Sequence, residues 1–209
     1  MTGNSFVKDM VVLVSDRNIE FAVKGILNRC DALNIRQITN DFFVHPEHDP
    51  GCRLRAHDFL RGLIRRYKYA LVVLDREGCG SETPTRKVLE KEIEQRLAIS
   101  GWNGRAAAVV IDPELEVWVW SNSPHVERIL GWAGMQPDLR TWLSLKGYLR
   151  PGELKPRRPK EAVQQALYLA GKARSSSLYQ RLAQNVSLTR CVDPAFVKLK
   201  LTLRSWFPA

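Results

Sequence analysis

The chain has 209 residues, which fits one domain of ordinary size or one domain with a small appendage. Apolar residues make up 44% of it, which excludes a wholly disordered protein, and no apolar run approaches the ~20 residues of a membrane-spanning helix. The 32 Lys and Arg residues outnumber the 22 Asp and Glu residues, so the formal net charge is +10. The four cysteines are widely spaced and no apolar leader precedes a cleavage site, so we expect a cytoplasmic protein with reduced thiols.

The positive charge is concentrated towards the carboxyl terminus. Residues 1–150 carry 21 Lys and Arg against 19 Asp and Glu, whereas residues 151–209 carry 11 against 3. A basic region beside a nearly neutral body is typical of a protein with a polyanionic partner, so we expect nucleic acid. A cationic surface that serves only solubility is the alternative.

Apolar periodicity predicts alternating strands and helices along the first half of the chain. In chain order these are a strand at 10–15, a helix at 19–27, a weaker strand at 35–44, a loop at 45–51, a helix at 54–67, a strand at 70–74, a helix at 83–97 and a strand at 107–111. Segment 112–119 fits a helix or a strand equally well. Residues 147–160 are rich in Pro and Gly and form a connector, and 161–207 are mainly helical.

This rhythm predicts an α/β fold with a mostly parallel sheet flanked by helices. We divide the chain into an α/β domain at 1–150 and a basic helical carboxyl-terminal extension at 151–209 that packs on it. The oligomeric state is left open.

Carboxylates follow three of the predicted strands. Asp16 follows the first, Asp75 and Glu77 follow the strand at 70–74, and Glu114 and Glu116 come shortly after the strand at 107–111. Ligands of open parallel sheets collect at the carboxyl ends of the strands, so these groups converge if their strands are neighbours. Clustered carboxylates repel one another unless a cation neutralises them, and Mg²⁺ or Mn²⁺ is the expected ion. Helix capping and turn formation are the structural alternatives for each of these residues.

The strand followed by Asp75-Arg-Glu77-Gly, with Asp16 after the first strand, resembles the Toprim domain of topoisomerases, primases and related nucleases. The order of elements, Glu114-Leu-Glu116, and the late segment Cys191-Val-Asp-Pro-Ala-Phe196 are similar to a family of bacterial Toprim-like proteins. The resemblance spans roughly residues 10–207. Members of that family often accompany ATPases in antiphage-defence gene clusters.

The resemblance implies a cation site and its residues. Asp16 stands at the position of the catalytic Glu, Asp75 and Glu77 stand at the two acidic positions of the Asp-x-Asp motif, and Glu116 supplies a further carboxylate. Together these four would be the catalytic and metal-binding residues. The chain departs from the family pattern, because Asp16 is one methylene shorter than Glu, Arg17 replaces the usual Gly and Glu77 replaces Asp. These changes put turnover in question.

Basic and histidine-rich segments supply further candidates. The connector carries four cations that are candidates for nucleic-acid binding: Lys155, Arg157, Arg158 and Lys160. His45 and His48 could contact phosphate or move a proton, whereas the spacing of His45, His48, Cys52 and His57 matches no common zinc module.

We therefore expect a divalent-metal-dependent, nuclease-like component of a bacterial defence system. The alternative is a non-catalytic Toprim-like subunit that binds an ATPase or another defence protein and, in addition, nucleic acid. An enzyme that transfers phosphate between small molecules is a third reading, which the basic extension disfavours.

Overall fold

A computed structural model describes residues 6–81 and 83–209, in which parallel strands alternate with helices. The strands are β1 (Lys8–Val14), β2 (Asn40–Val44), β3 (Tyr67–Asp75) and β4 (Ala106–Ile111). The helices are α1 (Arg17–Leu27), α2 (Cys30–Leu33), α3 (His48–Arg61), α4 (Arg86–Leu97), α5 (Glu116–Val119), α6 (Pro124–Leu130), α7 (Leu139–Leu145), α8 (Pro159–Leu169), α9 (Ser176–Asn185) and α10 (Pro194–Trp206). A π-helical turn, Ala98–Trp102, continues α4.

The strands form one all-parallel sheet in the order β2-β1-β3-β4, which confirms the predicted α/β architecture and its helical carboxyl-terminal extension. Val14 at the end of β1 lies beside Val44 of β2 and Val73 of β3. Because β2 and β3 flank β1, the chain reverses its direction of strand addition at β1 and β3. Such a reversal opens a crevice at the carboxyl ends of the two central strands.

Both faces of the sheet are covered, as the apolar runs at 10–14 in β1 and 70–74 in β3 require. Successive side chains of a strand point to opposite faces, so Met10, Val12 and Val14 pack on one side and Val11 and Leu13 on the other. Helix α1 and the helices of the carboxyl-terminal extension cover the first face, and α3 and α4 cover the second. The extension therefore belongs to the main core of the fold.

Side chains of α4 occupy the free hydrogen-bonding edge of the edge strand β4. The backbone N–H of Ala108 donates to Glu94 (3.0 Å) and that of Val110 donates to Glu90 (3.0 Å), and both carboxylates lie on α4. Lys198 of α10 pairs with Glu94 at 2.7 Å and with Glu90 at 3.2 Å. These contacts occupy backbone N–H groups that would otherwise be free to donate to another strand.

Three segments refine the sequence prediction. The second strand is shorter than 35–44 and covers only Asn40–Val44, which is half-buried throughout. Helix α3 already begins at His48, inside the segment predicted as a loop. The undecided segment 112–119 contains the short helix α5. In the described part of the chain, no helix combines the length and the apolar character needed to cross a bilayer.

Candidate functional site

The crevice between the ends of β1 and β3 is where the chain collects its carboxylates. After β2, the chain crosses over the end of β1 to reach β3. His48 Nδ1 lies 3.0 Å from the carbonyl oxygen of Ser15, and Asp49 Oδ1 accepts the backbone N–H of Asp75 at 2.8 Å. The start of α3 is thereby fixed to both central strands.

Asp16 lies at the start of α1 and caps that helix. One of its carboxylate oxygens accepts the N–H of Ile19 at 2.8 Å, which satisfies one of the free donors at the helix start. The capping role proposed as an alternative is therefore shown. The cap uses a single acceptor, Oδ1, and the whole side chain is half-buried at the crevice.

Asp75, the last residue of β3, is the most perturbed acid of the crevice. Burial raises the pKa of its carboxyl well above the ordinary range, and the neighbouring charges of Asp49, Glu116, Asp16 and Glu114 raise it further. Its Oδ1 atom is shielded from solvent and has no hydrogen-bond partner within the described residues. An ionised carboxylate in this position lacks compensation from the chain.

Asp49 is a carboxylate of this crevice that the sequence reasoning missed. Burial raises the pKa of its carboxyl, and the charge of Asp16 adds to that effect, while the N–H of Asp75 opposes it. The signal for it is its position in the segment that follows β2. The Pro and Gly content of 45–51 predicts a loop there, and that prediction hides an acid held at the start of a helix.

Glu77 lies apart from the buried acids, although only one residue separates it from Asp75. Its side chain is exposed, and its backbone N–H donates to the carbonyl of Pro113 at 2.9 Å. Between them, Arg76 forms an ion pair with Asp112 at 2.9 Å. The Asp-x-Glu motif thus places one carboxylate inside the crevice and the other at its rim, near enough to Glu114 to raise that residue's pKa.

Glu114 and Glu116 are buried and are neutralised by the carboxyl-terminal extension. Glu116 is 1% exposed and accepts hydrogen bonds from Arg174 (2.6 Å) and from the hydroxyl of Tyr179 (2.5 Å). Glu114 is 4% exposed and accepts from the backbone N–H and the ammonium of Lys160, each at 3.0 Å. Both acids therefore contribute negative charge to the crevice while their hydrogen bonds go to the extension.

The cations of the connector are each paired with an acid of the same chain. The pairs are Lys155 with Asp193 (3.2 Å), Arg157 with Glu153 (2.8 Å), Arg158 with Glu161 (2.8 Å) and Lys160 with Glu114 (3.0 Å). Partners within the chain reduce the charge that this segment offers to phosphates. Binding of nucleic acid by these four residues stays a prediction.

The two histidines at the start of α3 have different surroundings. His45 is buried, its ring packs against Phe59, and its Nδ1 accepts the N–H of Glu47 at 3.1 Å. Burial lowers the pKa of His45, which favours the neutral ring. His48 is exposed and adopts the left-handed backbone conformation with φ of 51°. Of the two, His48 is the one that solvent or a ligand can reach.

Within residues 6–81 and 83–209, no three His, Cys, Asp or Glu side chains converge closely enough to enclose a metal ion. The acids of the crevice interact through their charges without forming a closed cage. Comparison of the chain with protein-family models, with curated proteins and with solved structures finds no match.

Proposed function

We propose that this protein binds Mg²⁺ or Mn²⁺ at the crevice between β1 and β3 and cleaves phosphodiester bonds of nucleic acid there. The observation that carries the proposal is the carboxylate of Asp75, which is buried among like charges and has an unpartnered oxygen within the described residues. A divalent cation would supply the missing compensation. A bound cation would thus offset the loss of stability that an uncompensated carboxylate at Asp75 causes.

Asp75 and Asp16 are the residues that would bind the cation, and Asp49 would bind it directly or through a water molecule. Asp49 also fixes the backbone at Asp75 through its 2.8 Å hydrogen bond, which orients the carboxylate. Glu116 would add negative charge to the crevice, and the exposed Glu77 would lie at its rim, where substrate would enter. The bound cation would polarise the phosphodiester and stabilise the leaving oxygen, with water as the nucleophile.

A non-catalytic subunit is the second candidate, and one set of contacts favours it. Glu114 and Glu116 are held by Lys160 and Arg174, and the connector cations are paired within the chain. These contacts stabilise the fold and leave fewer groups for a substrate. In that case the protein would bind its partner, an ATPase or another defence protein, without turnover.

The test compares the wild-type protein with Asp75→Asn and Asp138→Asn. Asp138 caps α7 at the surface, and Asn caps well, so this control makes the same chemical change away from the crevice. Single- and double-stranded DNA and RNA are incubated with each protein in Mg²⁺, Mn²⁺ or EDTA. We expect cation-dependent cleavage that Asp75→Asn reduces by at least about 100-fold and Asp138→Asn leaves unchanged.

Binding of Mn²⁺ is measured separately by electron paramagnetic resonance. Cleavage that is equal in wild type and Asp75→Asn would contradict the proposed chemistry. Mn²⁺ binding that requires Asp75, without cleavage of any of the four polymers, would support the non-catalytic subunit instead. Absence of Mn²⁺ binding to the folded wild-type protein would reject the cation site itself.

A further inference from the structure

A second concave region lies on the side of the sheet that α1 covers. It is enclosed by α1, α5, α9 and α10. It encloses a cavity of about 340 Å³. Its walls include Trp118 and Trp120 around α5, Leu182 of α9 and Phe196 of α10. A cavity of this size with mainly apolar and aromatic walls is typical of small-molecule sites.

The charged groups of this cavity are all of one sign. Its described lining contains three cations, Arg140, Lys155 and Arg190, and no Asp or Glu. Lys155 is paired with Asp193, whereas neither Arg140 nor Arg190 forms an ion pair with a carboxylate among the described residues. The cavity therefore offers two guanidinium groups that are not directly paired with a carboxylate of the described chain. Guanidinium binds carboxylate and phosphate in a bidentate manner.

The cavity opens to solvent beside apolar side chains. Leu154 is 69% exposed and Val192 is 75% exposed, and both line the cavity. A neighbouring cavity of about 250 Å³ shares Trp120, Arg140 and Leu154 with the first, and Glu127 is the carboxylate of its described lining. Exposed apolar side chains beside such a cavity are typical of a binding surface.

We propose that this cavity binds a free amphipathic anion, a small molecule with an apolar body and a carboxylate or phosphate head. The body would lie against Trp118, Trp120 and Phe196, and the head would be held by Arg140 and Arg190. This site is distinct from the crevice between β1 and β3, and the proposal does not depend on cleavage of nucleic acid.

The experiment measures the binding of a series of ten-carbon ligands to the full chain by isothermal titration calorimetry. The series consists of decanoate, decyl phosphate, decanol and decyltrimethylammonium, each below its solubility limit and micelle concentration. We expect saturable binding of one or both anions at one site per chain, and at least about tenfold weaker binding of the alcohol and the ammonium compound. Octanoate, which lacks two methylene groups, should bind roughly tenfold more weakly than decanoate.

A matched pair of charge reversals locates the head group. Arg190→Glu changes an exposed cation of the cavity, and Arg181→Glu changes an exposed cation of α9 that does not line it. Arg190→Glu should weaken binding of the tighter anion by about tenfold, and Arg181→Glu should leave it unchanged. The tighter of decanoate and decyl phosphate identifies the preferred head.

Several results would overturn this inference. They are absence of saturable anion binding to the folded wild-type protein, equal affinity for the alcohol, and equal effects of the two charge reversals. Binding to vesicles of anionic phospholipid without binding of the free anions would assign the surface to a lipid bilayer. Self-association that Leu154→Ser abolishes would assign it to a second copy of the chain.

Discussion

Asp75 and Glu116 are acids of the same crevice, and the chain compensates their negative charges to different degrees. Glu116 is neutralised by Arg174 and bonded to Tyr179, so its charge is compensated within the chain. Asp75 has an oxygen without a hydrogen-bond partner in the described structure, and burial together with like charges raises the pKa of its carboxyl. Burying an uncompensated charge costs stability. That cost is tolerable in a site that a cation completes.

Removal of the charge at position 75 should therefore stabilise the protein when no cation is present. In EDTA at neutral pH, we expect Asp75→Asn to raise the free energy of unfolding by about 1–3 kcal/mol. The folded pKa of Asp75 lies above its ordinary value of 3.8, so the folded state holds this proton more tightly than the unfolded state. The wild-type protein loses this contribution as the pH rises through the folded pKa.

The increase in the free energy of unfolding caused by Asp75→Asn should accordingly be near zero at pH values around 3.8 and should grow towards neutral pH. Urea unfolding of both proteins across this range, with EDTA throughout, measures the difference. Asp138→Asn serves as the control, because the pKa of this surface acid is lowered by its hydrogen bonds to Thr141. A variant that is no more stable than wild type at neutral pH would show that the Asp75 carboxylate is compensated in solution.

At the level of secondary structure, the sequence predicts the strands better than the segments that complete the site. β1, β3 and β4 each contain a continuous apolar run because both of their faces are covered, and such a run predicts a strand from the sequence alone. β2 lies at the edge and is half-buried, so its pattern is weak. Asp16 and Asp75 follow strands that the sequence predicts clearly, whereas Asp49 belongs to a helix that begins with His48-Asp-Pro-Gly, and local rules predict a turn for that sequence.

The start of α3 depends on a close contact that only glycine permits. A Cβ atom at Gly51 would lie 2.1 Å from Nδ1 of the buried His45, so one of the two segments would have to move. We expect Gly51→Ala to destabilise the protein by about 1–3 kcal/mol and to weaken Mn²⁺ binding, because Asp49 lies two residues away. The proposed cation site would thus depend on packing at the start of α3 as well as on its carboxylates.

Gly62 at the other end of α3 provides the control for this prediction. Its φ is −70° and a Cβ there would meet nothing within 4 Å, so Gly62→Ala should be neutral or stabilise by up to about 1 kcal/mol. Thermal unfolding and Mn²⁺ titration of both variants check the pair. Equal stabilities of the two variants would show that His45 and α3 adjust without cost.

At the level of the whole molecule, the carboxyl-terminal extension and the sheet share one core. Phe196, Leu199 and Leu203 of α10 belong to the same buried cluster as Val12 of β1 and Ile26 of α1. The basic composition of 151–209 indicated an appended surface, but composition does not show where charges find partners. Seen in three dimensions, several of its cations neutralise acids of the sheet domain across long sequence separations.

The pair of Arg174 with Glu116 joins the extension to the sheet domain, and it provides the last prediction. Arg174→Met would leave the carboxylate of Glu116, which is 1% exposed, with the hydroxyl of Tyr179 as its remaining hydrogen-bond partner among the described residues. Breaking a buried pair from one side costs about 3–5 kcal/mol, and the partial exposure of Arg174 reduces this to about 2–3 kcal/mol. Arg158→Met breaks the exposed pair with Glu161 and should cost less than about 1 kcal/mol.

The double variant Arg174→Met/Glu116→Gln separates loss of charge pairing from loss of packing. Because it removes both charges, it should recover most of the stability that Arg174→Met loses, as measured by urea unfolding. If Arg174→Met costs no more than Arg158→Met, the charge of Glu116 does not rely on Arg174, and the predicted role of Glu116 beside Asp75 would gain weight. A large, recoverable loss would instead identify Glu116 as the buried anchor of the extension, which leaves Asp16, Asp49 and Asp75 as the carboxylates of the crevice.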